Sequence, residues 1–338
     1  MNTFDRIHDD LHLGGAFGDD EALLGYMRSR GIRSVLTVDT SALPDSVVQA
    51  CEAYEFVHAE DVPTEDLLNC FPDCVGFIDR SREKGGVLVH CKFGASRSAA
   101  VVAAYLLHVH RGRAGEGGEA PAVDRILSGM VEKRPVVDPN PGFRSQLKLF
   151  ADMGCEIDPG NRCYRLYCIQ AAGARLAAGV SVPKRTLQRL IRPDPASSPS
   201  SSPDAGVFRC AACRRQLAHE SDLQHHETGT AIPFFWTGPL VLPDGTGSNC
   251  QRAWFVMPME WMDIGILGEA PLVGRLACPK CHAKVGTYDW KSGVKCPCGV
   301  QVNPGITFSR KKVDLIYSNA APPRTSLFPC SDASTVKR

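Results

Sequence analysis

His90-Cys91-Lys92-Phe93-Gly94-Ala95-Ser96-Arg97-Ser98 lies between the apolar run Gly86 to Val89 and the Ala-, Val- and Leu-rich run Ala99 to His108. The pattern predicts a strand, a tight loop and a helix. A cysteine six residues before an arginine, with small residues between them, suits the holding of a tetrahedral oxyanion over a sulfur nucleophile. Gly94, Ala95 and Ser96 offer little steric resistance to a cradle that also includes the backbone of Lys92 and Phe93, and the helix that follows adds its positive N-terminal end. A thiol placed there beside a cation ionises near neutral pH. Arg97 has a planar fork that matches two phosphate oxygens, and lysine would not be equivalent. The Ser98 hydroxyl is placed to donate to the Cys91 sulfur, and His90 is expected beneath the loop, orienting Cys91 through its backbone. A single cysteine ending a buried strand is ordinarily a small core residue. The combination of His90, Cys91, Gly94 and Arg97 at a strand-to-helix switch points instead to phosphoryl chemistry.

The nonapeptide resembles the HCxxGxSRS signature of the cysteine-dependent dual-specificity protein phosphatases, and the likeness extends over residues 1–157. It implies an α/β fold with a mostly parallel central sheet flanked by helices, as in protein tyrosine phosphatases. The order of elements agrees. Leu11 to Gly15 reads as a short strand and turn, Asp19 to Ser29 as an amphipathic helix carrying Leu23, Leu24 and Met27, and Ile32 to Val38 as a buried strand. Glu55 to His58 reads as a further strand, and Thr64 is placed to cap a helix running to about Ser81. Within the resemblance, the loop after Glu55 to His58 carries a general acid, which falls on Asp61; Glu60 and Asp66 are its rivals. Such an acid contributes about 10²- to 10⁴-fold to rate. His8 and His12 are expected in the sheet or at the surface, and Cys51, Cys70 and Cys74 as packing residues rather than redox partners of Cys91. Arg111 to Ala120 is expected as a mobile insertion, Pro121 to Glu132 as a helix, and Asn140-Pro141-Gly142-Phe143 as the opening of the last catalytic-domain helix.

At 338 residues the chain is long enough for two domains. No apolar run approaches the roughly 18 residues of a membrane span and no secretory pattern opens the chain, so a soluble protein of cytoplasm and nucleus, with no membrane partner, is expected. The 15 cysteines are an odd number and several fall in close pairs, which favours metal ligation and catalysis over a disulfide framework. The net charge of +1 conceals a division: residues 1–157 carry 16 Lys and Arg against 24 Asp and Glu, residues 158–205 carry 7 against 3, and residues 206–338 carry 15 against 10. The phosphate-binding half is therefore the acidic one. Residues 158–205 read as a basic extension ending in the Pro- and Ser-rich linker Pro193 to Pro203. Residues 206–320 read as a small β-rich zinc-binding domain and residues 321–338 as a flexible tail.

Two cysteine sets stand out in the second half. Cys278 and Cys281 with Cys296 and Cys298 are expected to close one tetrahedral site around structural zinc. Cys210 and Cys213 with His225 and Cys250 are expected to close another, His226 and His219 being alternatives to His225. Trp236, Trp254, Trp261 and Trp290 are expected to form much of this domain's core, which metal supports. A phosphatase domain followed by this cysteine order is similar to the dual specificity phosphatase 12 family, and nearly the whole chain takes part. The resemblance implies phosphoprotein substrates, two structural Zn²⁺ ions, and a zinc half that engages assembling large ribosomal subunits; Arg310-Lys311-Lys312 offers a local basic patch. Lys92 also allows a phosphoinositide phosphatase reading, which Ala95 weakens because lipid-active relatives use a second lysine there.

Overall fold

The computed structural model describes residues 4–113, 123–182, 184–197, 206–224, 226, 250, 252–264 and 271–317. The chain forms two units, the first ending at Asp158 and the second beginning at Pro159.

In the first unit the elements are β1 (Phe4–His8), β2 (Leu11–Gly14), α1 (Asp20–Arg30), β3 (Ile32–Asp39), α2 (Asp45–Val48), β4 (Ala53–His58), α3 (Phe71–Arg82), β5 (Gly86–His90), α4 (Arg97–Arg113), α5 (Val123–Lys133) and α6 (Pro141–Asp152). The sheet runs in the order β1-β2-β5-β3-β4. Its strands pair in parallel except for the β1-β2 hairpin. The mostly parallel α/β sheet expected from the sequence is therefore present. β5 is buried along its whole length, which explains why its sequence is continuously apolar rather than alternating. α4 follows the same logic: Ala99 to Leu107 are all buried, because the helix packs against β5 as well as α3, α5 and α6.

Local chemistry sets the ends of these elements. Asp19 caps α1 by accepting from the Glu21 N–H, and Gly31 closes it in the left-handed region at φ 65°. The helix expected to start at Thr64 begins instead at Phe71, preceded by a 3₁₀ turn over Leu68–Cys70. The cause is a side chain from α6. The Gln146 carbonyl oxygen accepts the Leu67 and Leu68 N–H groups, its amide donates to the Glu65 carbonyl, and the segment before α3 is held as a turn. Cys74 on α3 is buried and Cys70 in the 3₁₀ turn partly buried, and burial pushes the Cys70 thiol up to about 12. That thiol stays protonated and packs. Residues 114–122, expected as an insertion and helix start, lie outside the described residues.

In the second unit the elements are α7 (Arg162–Ala177), α8 (Lys184–Leu190), β6 (Val207–Cys210), β7 (Gln216–His219), β8 (Trp254–Phe255), β9 (Val273–Ala277), β10 (Lys284–Asp289), β11 (Val294–Lys295), β12 (Gln301–Val302), β13 (Gly305–Phe308) and β14 (Val313–Ile316). They form antiparallel sheets ordered β8-β13-β10-β9, β14-β6-β7 and β11-β12. The basic extension expected before the linker is part of the second unit's core, whereas most of the expected linker, from residue 198 on, lies outside the described residues. Ile169 and Ala172 of α7 and Leu187 and Leu190 of α8 are buried in one cluster with Phe208, Val256, Met257, Trp290 and Phe308. Gly173 lets α7 approach so closely that a Cβ there would lie 2.7 Å from the Pro304 ring. Arg192 joins in, donating its N–H to the Pro258 carbonyl. The apolar spacing on α7 and α8 thus builds a core, while Arg175 and Arg189 on the same helices are exposed. Trp290 is fully buried, Trp254 and Trp261 pack at the cluster's edge, and Trp236 lies outside the described residues, as do residues 198–205 and 318–338.

Candidate active site and metal sites

β5 delivers Cys91 to the carboxyl end of the sheet, the usual place for ligands in parallel α/β folds. The Cys91 N–H donates to the Gly14 carbonyl at 3.3 Å, tying the start of the loop to β2. Gly94 stands at φ 65°, and a Cβ there would lie 2.3 Å from the Gly14 carbonyl carbon. Only glycine fits, for both conformational and steric reasons. The loop then folds back on the sulfur. The Gly94 N–H donates to Cys91 Sγ at 3.2 Å and the Ser98 hydroxyl at 3.1 Å. Two donors and the N-terminus of α4 thus converge on the sulfur.

Arg97, the first residue of α4, is buried. Its Nη1 donates to Asp39 at 2.6 Å and to the Ala59 carbonyl at 3.1 Å. Its Nε is buried without a hydrogen-bond partner and lies 3.9 Å from an Asp61 oxygen. An unmet buried donor costs about 1–3 kcal/mol. A phosphoryl oxygen delivered above the loop would relieve that cost. Asp61 itself accepts from the Ser96 hydroxyl at 2.6 Å and from the Asn140 side-chain amide at 3.0 Å, so its carboxylate is joined to the loop. The rivals stand elsewhere: the Glu60 N–H binds Glu65, and Asp66 accepts both the N–H and the amide of Asn69.

His90 joins β3 to the start of the loop. Its Nε2 lies 2.8 Å from the Thr37 hydroxyl, its register partner on β3, and the ring also interacts with the Cys91 backbone. Burial pushes the imidazole down from 6.5 to about 4, so it is neutral at pH 7. Lys92 and Phe93 contribute backbone to the loop and turn their side chains to solvent.

Several functional residues escaped the sequence reading. Asp39 ends β3 and grips Arg97. Arg134, buried, donates to the Phe93 and Gly94 carbonyls and to Asp5. Asn140 caps α6 by accepting the Phe143 N–H and at the same time donates to Asp61. An acid closing a parallel strand was a legible cue for Asp39. No local pattern reveals Arg134, whose partners are backbone carbonyls distant in sequence.

The metal-ligating residues converge in a different pairing from the one expected. Cys210, Cys213, Cys278 and Cys281 form one group, and His226, Cys250, Cys296 and Cys298 the other. Within each group the ligand atoms all lie within 4.8 Å of one another. The reason is local geometry. Cys210 to Cys213 joins β6 to β7 as a knuckle with Arg214 in the left-handed region and its N–H on the Cys210 carbonyl. Cys278 to Cys281 joins β9 to β10 with the same bond from His282, also left-handed. These two like knuckles face each other. Cys296 to Cys298 is a tighter turn closed by Gly299, and it meets Cys250 and His226. His225, expected as a ligand, lies outside the described residues, and its neighbour His226 presents Nε2 3.3 Å from Cys298 Sγ. The closest sulfur pairs are 3.7 Å for Cys210 and Cys281, 3.6 Å for Cys213 and Cys278, and 3.6 Å for Cys250 and Cys296. A tetrahedron with metal–sulfur bonds of about 2.3 Å has edges of about 3.8 Å, so both groups fit one ion each.

The catalytic-domain family of dual specificity phosphatases matches residues 31–153. The chain is 34% identical to dual specificity protein phosphatase 12 of Mus musculus, over 91% of this chain and 87% of that protein. It is 31% identical to dual specificity protein phosphatase MPK-4 of Drosophila melanogaster, over 93% and 88%. Among solved structures, the Yvh1 phosphatase domain from Chaetomium thermophilum is 32% identical, with a TM-score of 0.41 over 46% of this chain and 99% of that one.

Two outcomes follow from this geometry. Cys213→Ser combined with Cys281→Ser is expected to lower bound metal from two ions per chain to one, read by elemental mass spectrometry. The pairing expected from sequence would lose both. For His90, whose folded value lies below the unfolded 6.5, the unfolded chain takes up a proton first. Its contribution is complete above pH 6.5 and is lost as the pH falls toward 4. Between pH 7 and pH 5 the loss is about 2 kcal/mol, and urea unfolding should show His90→Asn escaping that part of the acid sensitivity.

Proposed function

The chain belongs to the dual specificity phosphatase 12 family, whose members are protein phosphatases, and on that premise we propose that it hydrolyses phosphotyrosine and phosphoserine or phosphothreonine esters through a phosphocysteine on Cys91. The observation that carries the reading is the pairing of a sulfur held by two donors with a buried guanidinium whose Nε has no acceptor. In the first step the Cys91 thiolate attacks phosphorus, the S–P bond forms, the P–O bond to the protein side chain breaks, and Asp61 gives its proton to the departing oxygen. In the second step water attacks the same phosphorus while the now ionised Asp61 takes a proton from it, and the S–P bond breaks to release inorganic phosphate and the thiolate. The loop amides and the Arg97 fork meet the equatorial oxygens in both steps. Ser98 donates to the sulfur as it leaves. Asn140 and Ser96 position Asp61, and Asp39 positions Arg97.

Each cysteine group is assigned one structural Zn²⁺, since thiolate-rich tetrahedral donor sets suit that ion. Zinc would tie the knuckles of Cys210–Cys213 and Cys278–Cys281 together in one site, and His226, Cys250, Cys296 and Cys298 in the other. The family resemblance further supports docking of the second unit on pre-ribosomal large subunits, in cytoplasm and nucleus. The Arg310 guanidinium stacked 4.7 Å over the Trp254 ring, within the basic run Arg310 to Lys312, offers a surface of suitable chemistry.

Cys91→Ser is expected to abolish phosphate release from phosphopeptides, and Asp61→Ala to slow it by about 10²- to 10⁴-fold. Full turnover in the Cys91→Ser protein would end the enzymatic reading. Co-sedimentation with ribosomal precursors is expected to survive Cys91→Ser and to disappear when Cys278 and Cys281 are replaced; loss in the Cys91 variant alone would contradict docking through the second unit.

A further inference from the structure

We propose that Val62, Phe93 and Val136 form an apolar rim around the phosphate loop, and that this rim selects phosphoprotein segments with apolar side chains beside the phosphorylated residue. The inference rests on the phosphatase reading and names the substrate class of the same site.

Among the described residues six large apolar side chains are exposed, and three of them belong to the segments that meet at the loop. Val62, 37% exposed, follows Asp61, whose carboxylate is bonded to Ser96. Phe93, 66% exposed, is in the loop itself. Val136, 40% exposed, lies in a segment bonded to the loop on either side of it, by Arg134 to the Phe93 carbonyl and by the Asp138 N–H to the Ala95 carbonyl at 2.8 Å. Exposed apolar side chains scattered singly need no explanation, but a cluster around a binding site marks a contact surface.

The ring of Phe93 is exposed on a fixed backbone. The Phe93 carbonyl accepts from the buried Arg134 at 3.0 Å, the Lys92 carbonyl accepts from the Ala16 N–H at 2.9 Å, and a Cβ on Gly15 would come within 3.0 Å of the Phe93 carbonyl carbon. The backbone that carries the outward ring is therefore set in place before any ligand arrives, which lowers the ordering cost of binding. Solvent exposure means that it adds little to folding, and a polar residue would serve the loop equally well. A phosphoryl group seated between Cys91 and Arg97 brings its neighbouring residues over this rim. The occupant is thus an extended phosphopeptide segment, with apolar side chains reaching Val62, Phe93 or Val136.

The test uses the full chain carrying Cys91→Ser and two phosphotyrosine peptides, one with leucine and one with serine on both sides of the phosphotyrosine. Fluorescence anisotropy is expected to show the leucine peptide binding about tenfold more tightly, a difference of about 1.4 kcal/mol. Phe93→Ser, or Val62→Ser with Val136→Ser, is expected to shrink that ratio to about twofold. With Cys91 intact, the paired valine variant should turn over a small aryl phosphate at the unsubstituted rate. Equal affinity for the two peptides overturns the rim and leaves the enzyme reading standing. So does a change of oligomeric state in Phe93→Ser with an unchanged peptide ratio, which would make the face a contact between copies of the chain. Aryl phosphate turnover that persists at full rate in Cys91→Ser defeats the enzyme reading instead, whatever the peptide ratio.

Discussion

The buried bond between Arg97 and Asp39 is the constraint on which the rest of the first unit depends. A guanidinium at the first turn of a buried helix is a costly charge, and an ion pair removed from water is stable only when its geometry and remaining hydrogen bonds are good. Asp39 and the Ala59 carbonyl occupy Nη1, so the guanidinium is held in place and Nε is left without a hydrogen-bond partner, 3.9 Å from the Asp61 carboxylate. The carboxylate comes from the end of β3, the carbonyl from the end of the β4 connection, and the guanidinium from the switch between β5 and α4. The sheet order, which places β3 between β5 and β4, is what allows these three to meet.

Around that bond the scaffold is arranged to leave the loop little freedom. β2 lends the Gly14 carbonyl, α5 is followed by Arg134, and α6 contributes both Asn140 and Gln146. Gln146 does not touch the loop, yet it fixes the turn on which Asp61 is carried toward Ser96. Positioning residues of this kind supply preorganisation rather than chemistry, and their effect reaches the reacting atoms through one or two hydrogen bonds. The second unit is built on a different principle. Its strands are short, and the opposed knuckles bring four cysteine sulfurs together at separations that suit one tetrahedral ion.

What the sequence disclosed depended on how local the information was. Cys91, Gly94, Arg97 and Ser98 lie within eight residues, and their spacing alone encodes the cradle. β2, α1, β3 and β5 were legible because their apolar patterns are clear, whereas β1, α2 and the start of α3 were not. The metal ligands were legible as a set, but their pairing was not. Adjacent cysteines in sequence invite adjacent partners, whereas two turns of like shape face each other across the sheets and interleave the sites. The stretch Ile169 to Ala178 was legible as helix-compatible, but its basic surroundings masked the packing of Ile169 and Ala172 with Leu187 and Leu190 of α8 in one core. Asp39, Thr37 and Arg134 act across separations of 40 residues or more, and only the assembled sheet reveals their partners.

The central claim is that Cys91 Sγ and Arg97 share one phosphoryl guest. Rapid acid quench of the Asp61→Ala protein with an activated aryl phosphate, whose leaving group needs no proton, followed by peptide mass spectrometry, tests it most directly, because only the hydrolysis step is then slowed and the intermediate accumulates. The account predicts a phosphate adduct on the fragment that carries Cys91, absent when Arg97 is replaced by alanine. An adduct on another residue, or steady phosphate release with Cys91 never modified, would contradict it.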